Sequence, residues 1–303
     1  MKIFISTSTF AEKDTRPLDV LKENGMEYDM NPHRRKLTAE EIAGFLASDA
    51  YDGLIAGTET LGRRALEGAG RLKVISRVGV GTDNIDAEVV KERGIMVLNT
   101  PGVLTDAVAE LTLGLILSCL RRIPLADRNI RTGRWEKPMG NLLKNRTVGV
   151  IGFGQIGRRV ATLCRAFGAR VIFHDMNDVG TDGFEKVPLD TLLKISDIMT
   201  VHVSTKDIIF DTGSFGKVKP GAIIVNTSRG TVIDEDALFM ALEVGRISFA
   251  GLDVFGEEPY KGKLTECANT VLTPHIGSYA EDARIEMELA AVKNLVNGLK
   301  GRR

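Results

Sequence analysis

The chain has 303 residues, which is enough for two domains that each bury a core of their own. Its 40 basic residues balance its 40 acidic residues, so no overall field attracts nucleic acid or an anionic membrane, and we expect neither partner. The three cysteines are scattered and odd in number, which predicts buried thiols in a reducing compartment and no bound metal. The N-terminal sequence MKIFIST is typical of a strand rather than of a signal sequence, and we expect a cytoplasmic protein.

Short apolar runs alternate with helical segments in the N-terminal third of the chain. This alternation predicts a parallel sheet with helices on its faces. Strands are predicted at Ile3–Ser6, Gly53–Ala56, Val74–Ser76 and Met96–Leu98, and helices at Ala39–Ala47 and Ala87–Arg93.

Two glycines, Gly79 and Gly81, follow one of these strands directly. A glycine-rich loop exposes backbone N–H groups, so this loop can bind a carboxylate. The alternative is a plain turn that connects the strand to the next helix.

A long helix is predicted from Leu104 to Arg131, after the break at Pro101-Gly102. Its length, its apolar stripe and the nearby Trp135 indicate a helix that packs outside its own domain, on a second subunit. The alternative is a long core helix of a single subunit.

The segment from Thr147 to Asp175 has the pattern strand, glycine turn, helix, strand. Gly152 permits the tight turn, Gly154 lets the backbone approach a pyrophosphate, and Gly157 lets the helix pack closely against the strand. The N-terminus of the helix then presents its N–H groups to the phosphates. The final carboxylate accepts from both ribose hydroxyls of adenosine and repels a 2′-phosphate, so we predict NAD rather than NADP. The alternative is a tight turn with only a structural role.

More units of the same kind follow, and they extend the predicted dinucleotide-binding sheet. Ser278–Glu281 resembles a capping box at the start of a closing helix. Strands are predicted at Ile198–Val203, Ala222–Asn226, Ala250–Val254 and Thr270–Leu272, and helices at Leu189–Lys194 and Glu235–Val244.

The predicted fold class is α/β, with two Rossmann-like, doubly wound parallel-sheet domains and a cleft between them. Residues 1–98 and 279–303 are expected to form a flavodoxin-like substrate domain. Residues 99–278 are expected to form the NAD-binding Rossmann domain, which includes the helix 104–131. Ligands usually bind in clefts between domains.

Three chemically distinct side chains follow successive strands of the dinucleotide-binding half: Arg229, Glu258 and His275. Parallel strands deliver their carboxyl ends to one edge of a sheet, where the cofactor also lies. Histidine is suited to proton exchange near neutral pH, and a carboxylate can hold its ring in one tautomer. Arginine can bind a substrate carboxylate through its planar fork. Taken singly, the three residues also fit a surface ion pair, a loop and a capped turn.

The segments NTSRGTVIDEDAL, AGLDVFGEEP and VLTPHIGS, together with GFGQIG, resemble the signature segments of the D-isomer-specific 2-hydroxyacid dehydrogenases. The resemblance extends over nearly the whole chain. It implies an NAD-dependent oxidoreductase acting on small 2-hydroxy or 2-oxo acids, a homodimer joined through the helix after Pro101, and Arg229, Glu258 and His275 as catalytic residues. It implies cofactor contacts from Gly152, Gly154, Gln155, Ile156, Gly157, Asp175, Thr227, Ser228, Arg229 and Asp253, with Asp253 facing the nicotinamide amide. It implies substrate contacts from Arg77, Val78, Gly79, Val80, Gly81, Arg229 and His275.

The substrate is the open point of this resemblance. Arg77 matches an arginine of the 3-phosphoglycerate dehydrogenases, and we expect an enzyme of that type. Gly57, however, stands where many of those enzymes have a phosphate-binding arginine, and NTPGVLTDAVAE resembles the hydroxypyruvate and glyoxylate reductases, which are the alternative. A non-enzymatic NAD(H)-responsive scaffold is a further alternative. The segment 202–213 also departs from the family, with Ser204 in place of a proline, which affects the expected cofactor affinity.

Overall fold

The computed structural model describes residues 1–47 and 50–301 and divides into two compact units. The first unit contains residues 1–104 and the segment that begins at Ser278, and the second unit is Thr105–Gly277. Its strands are β1 (Lys2–Ile5), β2 (Glu27–Met30), β3 (Gly53–Ala56), β4 (Val74–Arg77), β5 (Met96–Leu98), β6 (Thr147–Ile151), β7 (Arg170–His174), β8 (Glu185–Lys186), β9 (Ile198–Val201), β10 (Ala222–Asn226), β11 (Ile247–Leu252) and β12 (Thr270–Leu272). Its helices are α1 (Arg16–Glu23), α2 (Ala39–Leu46), α3 (Arg63–Glu67), α4 (Ala87–Glu92), α5 (Thr105–Arg121), α6 (Ile123–Arg131), α7 (Gln155–Ala166), α8 (Leu189–Ile195), α9 (Thr212–Lys217), α10 (Glu235–Glu243) and α11 (Glu281–Lys300).

The described residues of the first unit form a parallel sheet with the strand order β2-β1-β3-β4-β5. The inner strands are apolar on both faces, so both faces must be covered. Helices α2, α3 and α4 contribute the buried side chains of one face, which include Ile42, Leu66 and Val89. Helix α11 packs against the strands β3, β4 and β5, where a Cβ on Gly53 would lie 3.0 Å from Leu295.

The second unit, in which every residue is described, forms a parallel sheet with the order β12-β11-β10-β9-β6-β7-β8. The chain runs outward from β6 through β7 to β8, and then returns to the other side of β6 to form β9. Ligands of such sheets bind at the carboxyl ends of the strands where this order reverses, which here is the end of β6. The predicted fold class, α/β with two doubly wound parallel sheets, is confirmed.

The prediction of a single helix from Leu104 to Arg131 is wrong, because the structure has two helices, α5 and α6. The break is at Arg122, whose φ of +54° is left-handed. Pro124 lies in the first turn of α6. Proline has no N–H, and its ring collides with the carbonyl oxygen four residues earlier, so the helix cannot run through it. The carbonyl oxygen of Leu120 instead accepts from the N–H of Asn141.

The predicted capping box at Ser278–Glu281 is also absent. Helix α11 begins at Glu281 with Ala280 as its N-cap, and no side chain caps it. Strand β11 begins at Ile247 rather than at Ala250, and β9 ends at Val201 rather than at Val203. Five short elements were not predicted: α1, β2, α3, β8 and α9. None of them is longer than eight residues, and β2 buries none of its four residues, so they are too short for a periodic pattern to be recognised with certainty.

Candidate active site

The turn after β6 has the geometry that a dinucleotide pyrophosphate needs. Gly152 has a φ of +89°, and a Cβ on it would lie 2.4 Å from the carbonyl oxygen of His202. A Cβ on Gly157 would lie 2.1 Å from the carbonyl oxygen of Gly152, so both positions exclude side chains. A Cβ on Gly154 would meet no described atom within 4 Å, so this side of the turn is open. Phosphates can therefore approach the backbone at Gly154.

Helix α7 points its N-terminus into this opening. It begins at Gln155, and its N-cap residue Gly154 contributes no side-chain hydrogen bond. The first N–H groups of a helix have no intrahelical partner, and here no capping side chain takes them, so they suit an anionic ligand. Gln155 is exposed and Ile156 is partly buried. These features fit the pyrophosphate of NAD.

Asp175 lies one residue beyond the end of β7, at the same edge of the sheet. One carboxylate oxygen accepts from the N–H of Phe153 at 2.7 Å, and the other accepts from the N–H of Asn177 at 2.8 Å. These two bonds fix the carboxylate beside the glycine turn. Each oxygen has further acceptor capacity, which suits the paired hydroxyls of a ribose.

The segment that follows β10 is held by its own polar side chains. The Thr227 hydroxyl lies 2.8 Å from the Thr112 hydroxyl, and Ser228 donates to Asn226 from its N–H at 3.0 Å and from its hydroxyl at 2.8 Å. The Asn226 amide in turn donates to the carbonyl oxygen of Arg229 at 2.8 Å. This network makes a rigid platform of the predicted cofactor segment.

The structure brings Glu258 and His275 into direct contact. Nδ1 of His275 lies 2.8 Å from Oε2 of Glu258, and Oε1 of Glu258 accepts from the N–H of Phe255 at 3.2 Å. The two residues follow β11 and β12, which are neighbours in the sheet. Because Nδ1 is engaged with the carboxylate, Nε2 is the ring nitrogen that can exchange a proton with a substrate.

Asp253, the residue after β11, holds the turn that carries His275. It is 1% exposed, and its carboxylate accepts from the Thr273 hydroxyl at 2.6 Å and from the N–H groups of Ile276 and Gly277 at 2.8 Å each. Burial raises the pKa of Asp253, and these hydrogen bonds oppose the rise. The predictions assigned this residue to the nicotinamide amide and missed its contacts with the histidine turn. No local sequence signal could reveal them, because the partners lie twenty or more positions away in the chain.

Arg229 is partly buried and has an extended backbone. Its Nη1 donates to the carbonyl oxygen of Ser228 at 2.8 Å. A Cβ on the next residue, Gly230, would lie 1.9 Å from the backbone of Phe255, so the loops after β10 and β11 are in close contact. Arg229 therefore lies in a loop that packs on the segment leading to Glu258.

The predicted carboxylate-binding loop, Val78–Gly81, belongs to the first unit. The N–H of Val78 donates to the carbonyl oxygen of Ala56 at 2.8 Å, and the N–H of Gly79 donates to the Thr100 hydroxyl at 3.0 Å. Nη1 of Arg77 donates to the carbonyl oxygen of Val78 at 2.6 Å, and its guanidinium covers Gly79. The first two N–H groups of the loop are thus engaged in holding the loop in place.

Three buried cysteines and an absence of grouped metal ligands in the described residues bear on thiol and metal chemistry. Cys119, Cys164 and Cys267 are all buried, and burial raises the pKa of the first two to about 12. Across residues 1–47 and 50–301, no three histidine, cysteine or acidic side chains are grouped as metal ligands. In the same residues, no helix combines the length and the apolar character that crossing a membrane requires.

Comparisons with known proteins agree with this geometry. Residues 113–277 match the model of the "D-isomer specific 2-hydroxyacid dehydrogenase, NAD binding domain". The chain is 43% identical over 261 residues to a glyoxylate reductase of Thermococcus litoralis, covering 80% of this chain and 79% of that protein. It is 36% identical over 296 residues to a D-3-phosphoglycerate dehydrogenase of Archaeoglobus fulgidus, covering 94% of this chain but 55% of that protein.

Solved structures that resemble this chain include one with bound NAD. The D-lactate dehydrogenase of Aquifex aeolicus, complexed with NAD and lactic acid, aligns with a TM-score of 0.86 and 26% identity. The alignment covers 99% of this chain and 96% of that one.

Proposed function

The chain belongs to the D-isomer-specific 2-hydroxyacid dehydrogenases, a family of NAD-binding oxidoreductases, and on this premise we propose that it reduces a small 2-oxo acid to the D-2-hydroxy acid, reversibly. The observation that carries the proposal is the contact between His275 and Glu258 at the carboxyl edge of the sheet that has the dinucleotide turn. Bound NADH supplies the hydride for the reduction. The residues of this chain supply the proton and the binding of the substrate.

His275 is the proposed proton donor and acceptor. As the carbonyl carbon of the 2-oxo acid is reduced, Nε2 gives a proton to the carbonyl oxygen, and it takes that proton back in the reverse direction. Glu258 keeps the ring in one orientation and one tautomer through its contact with Nδ1. The other proposed catalytic residue, Arg229, binds the substrate carboxylate and polarises the neighbouring carbonyl group.

The substrate carboxylate is also proposed to bind the loop Val78–Gly81. The N–H groups of Val78 and Gly79 already donate within the unit, so we assign this contact to the N–H groups of Val80 and Gly81. Arg77 supports the loop from its position over Gly79.

The proposed cofactor contacts are all made by residues of the second unit. The glycine turn and the first turn of α7 are proposed to bind the pyrophosphate through Gly152, Gly154, Gln155, Ile156 and Gly157, and Asp175 is proposed to bind the adenosine ribose. Thr227, Ser228 and Arg229 are proposed to line the nicotinamide half of the site, and Asp253 is proposed to hold the histidine turn there.

Glyoxylate or hydroxypyruvate is the finer proposal for the substrate. It is supported by the 43% identity with a glyoxylate reductase of similar length. The second candidate, 3-phosphoglycerate, is supported by the position of the Arg77 guanidinium against the carboxylate loop and by the 36% identity with a longer phosphoglycerate dehydrogenase.

The test is NADH oxidation by the purified protein with glyoxylate, hydroxypyruvate and phosphohydroxypyruvate. We expect turnover with at least one of them, and we expect His275→Ala to lower kcat by roughly a hundredfold to ten-thousandfold, as for loss of a general acid. The Kd of NADH, measured by fluorescence, should stay nearly unchanged in this variant.

A matched control is His33→Ala, because His33 is an exposed histidine of the first unit. It should leave kcat and KM unchanged. Normal kinetics in His275→Ala would overturn the role of that residue, and failure of the wild type to oxidise NADH with every 2-oxo acid would overturn the proposed function.

A further inference from the structure

Two successive backbone N–H groups of the loop after β4 are open to a ligand. Within the part of the chain that the structure describes, the N–H groups of Val80 and Gly81 donate no hydrogen bond, and Val80 is 40% exposed. They are the groups proposed to bind the substrate carboxylate. They can bind one anion together only if both point to the same side of the loop.

The direction of both N–H groups is set by the carbonyl groups that share their peptide units. The carbonyl oxygen of Gly79 accepts from the N–H of Thr100 at 3.0 Å, and the carbonyl oxygen of Val80 accepts from the Asn99 amide at 2.8 Å. Neither peptide unit is cis, and in a planar trans unit the C=O and N–H bonds point in opposite directions. The N–H groups of Val80 and Gly81 therefore both point away from the segment 99–100. Successive N–H groups that face one side are a recurring arrangement for binding an anion.

Thr100 fixes the first part of the loop and leaves the second part to Asn99. Thr100 is 1% exposed, and its hydroxyl accepts from the N–H of Gly79 at 3.0 Å, so Gly79 is bound to Thr100 through both its N–H and its carbonyl group. The peptide unit between Val80 and Gly81 has a single hydrogen bond to the described residues, and the Asn99 amide donates it. The orientation of the Gly81 N–H therefore depends on this one side chain.

Helix α11 holds both sides of this arrangement. The Asn294 amide donates to the carbonyl oxygen of Asn99 at 2.8 Å, which fixes the backbone from which the Asn99 side chain extends. The buried hydroxyl of Ser76 in β4 donates to the carbonyl oxygen of Ala291 at 2.7 Å, which fixes the strand that leads into the loop. Residues three positions apart lie on one face of a helix, so a single face of α11 supports the loop and the residue that orients it.

The position of Asn99 also has a simpler interpretation. Asparagine is common where a strand ends and a turn begins, because its side chain can hydrogen-bond to the backbone of its own turn. Here the amide instead donates to a carbonyl oxygen nineteen positions earlier in the chain. The contact therefore serves the loop after β4 rather than the turn that contains Asn99.

We propose that Asn99 is a positioning residue for the substrate: its amide orients the peptide unit between Val80 and Gly81, so that the Gly81 N–H joins the Val80 N–H in binding the carboxylate of the 2-oxo acid. This inference rests on the proposed function, since it concerns the binding of the substrate at the same site. Asn99 acts through the loop and has no part in the transfer of hydride or proton.

Asn99→Leu tests the role, because leucine has a similar size and cannot donate a hydrogen bond. The probe is whichever of glyoxylate, hydroxypyruvate and phosphohydroxypyruvate the wild type reduces fastest. We expect its KM to rise roughly tenfold, as for loss of one hydrogen bond to a charged group. The contact with the carboxylate is made before and during the reaction alike, so kcat should stay within about twofold of the wild type. The Kd of NADH should not change.

Asn24→Leu is the matched control. The Asn24 amide also donates to a backbone carbonyl oxygen, that of Val20 at 2.7 Å, but it lies between α1 and β2, at the amino end of the same sheet. Its loss should leave KM unchanged. Asn99→Asp keeps the shape of the side chain and should raise KM at least as much as Asn99→Leu, because a carboxylate cannot donate to the Val80 carbonyl oxygen.

Two results in folded variants at Asn99 would overturn the inference alone: an unchanged KM, or a fall in kcat or in NADH affinity without a rise in KM. Either would show that Asn99 has at most a general structural role. If Asn99→Leu does not fold, as judged by its thermal unfolding, Asn99→Asp decides the matter. A wild type that turns over no 2-oxo acid is a different outcome, since it would overturn the proposed function and this inference with it.

Discussion

At the scale of single residues, His275 has a left-handed backbone conformation that residues other than glycine adopt uncommonly. Its φ is +55°, and left-handed conformations of this kind cost on the order of 1–3 kcal/mol. The hydrogen bonds from the turn to Asp253 offset that cost, because the buried carboxylate accepts from Ile276 and Gly277 on the C-terminal side of His275. We therefore regard Asp253 as a positioning residue that acts through His275.

Asp253→Asn tests this role. An amide offers one acceptor oxygen where the carboxylate offers two, so the turn loses at least one hydrogen bond and the imidazole loses its fixed orientation. We expect kcat to fall roughly tenfold to a hundredfold while the Kd of NADH changes little. A large rise in the Kd of NADH with unchanged kcat would instead favour a direct contact with the nicotinamide amide. Asp236→Asn, at an exposed position of α10, should change neither quantity.

The unfolding free energy of Asp253→Asn should also depend on pH differently from that of the wild type. Burial raises the folded-state pKa of Asp253 above its ordinary value of 3.8, so the folded form holds the proton more tightly than the unfolded chain does. A raised pKa of an acid contributes stability at low pH, and this contribution is lost as the pH rises through the folded-state pKa. As the pH rises above about 4, the ordinary pKa of an aspartate, the wild type should therefore lose more unfolding free energy than Asp253→Asn does. Equal losses of unfolding free energy in the two proteins, measured by urea denaturation, would contradict a raised pKa of Asp253.

At the scale of elements, the unit β6–α7–β7 combines the glycine turn, which is the proposed pyrophosphate site, with Asp175, which is proposed to bind the adenosine ribose. Asp175 accepts from the N–H of Phe153 inside the turn, so one hydrogen bond joins the end of β7 to the turn that follows β6. The position of the carboxylate is thereby tied to the position of the glycine turn. Cofactor selectivity and cofactor affinity should depend on the same element.

Asp175→Ser tests this dependence. Without the negative charge, a 2′-phosphate is no longer repelled, and we expect the ratio of kcat/KM for NADH to that for NADPH to fall about tenfold or more. Asp178→Ser is a matched control, since Asp178 is an exposed acid three positions further along. An unchanged ratio in Asp175→Ser would show that another residue selects the cofactor.

At the scale of the whole molecule, the second unit exposes a row of large apolar side chains after the break at Arg122. Scattered apolar residues are normal on a surface, but a run of them within one segment indicates an interface. The family resemblance also implies that this region joins two subunits. The exposed side chains are Ile123 (52%), Ile130 (54%), Trp135 (82%), Met139 (82%) and Leu142 (65%).

We therefore predict a homodimer formed through this segment. The double variant Ile130→Lys/Trp135→Lys should shift the sedimenting species from twice the chain mass of 33.0 kDa toward the single chain, because buried lysines at the interface would lack partners. Val244→Lys, at an exposed apolar position after α10, should leave the dimer intact. A wild type that sediments as a single chain at every concentration would contradict the prediction.

The sequence alone determined the features that have a local and repetitive signal. The buried strands were predicted because continuous apolar runs between turn residues have few other interpretations. The glycine turn, its helix and Asp175 were predicted because tight turns and phosphate contacts exclude side chains at fixed spacings. Glu258 and His275 were expected to lie close together because parallel strands end at one edge of a sheet. In the structure they are in contact.

Only the tertiary structure decided the features that depend on residues far apart in the chain. The contacts of Asp253 with the histidine turn and the hydrogen bond from Asn99 to the carbonyl oxygen of Val80 each join separate loops of a sheet edge. No sequence pattern encodes such pairs, since each residue taken alone also fits an ordinary loop. The division of the predicted long helix at Arg122 has a local cause in Pro124, whereas the partner of the Leu120 carbonyl oxygen, the N–H of Asn141, lies far along the chain. Local geometry could therefore be predicted from the sequence, whereas the hydrogen-bond partners of buried polar groups are determined by the tertiary structure.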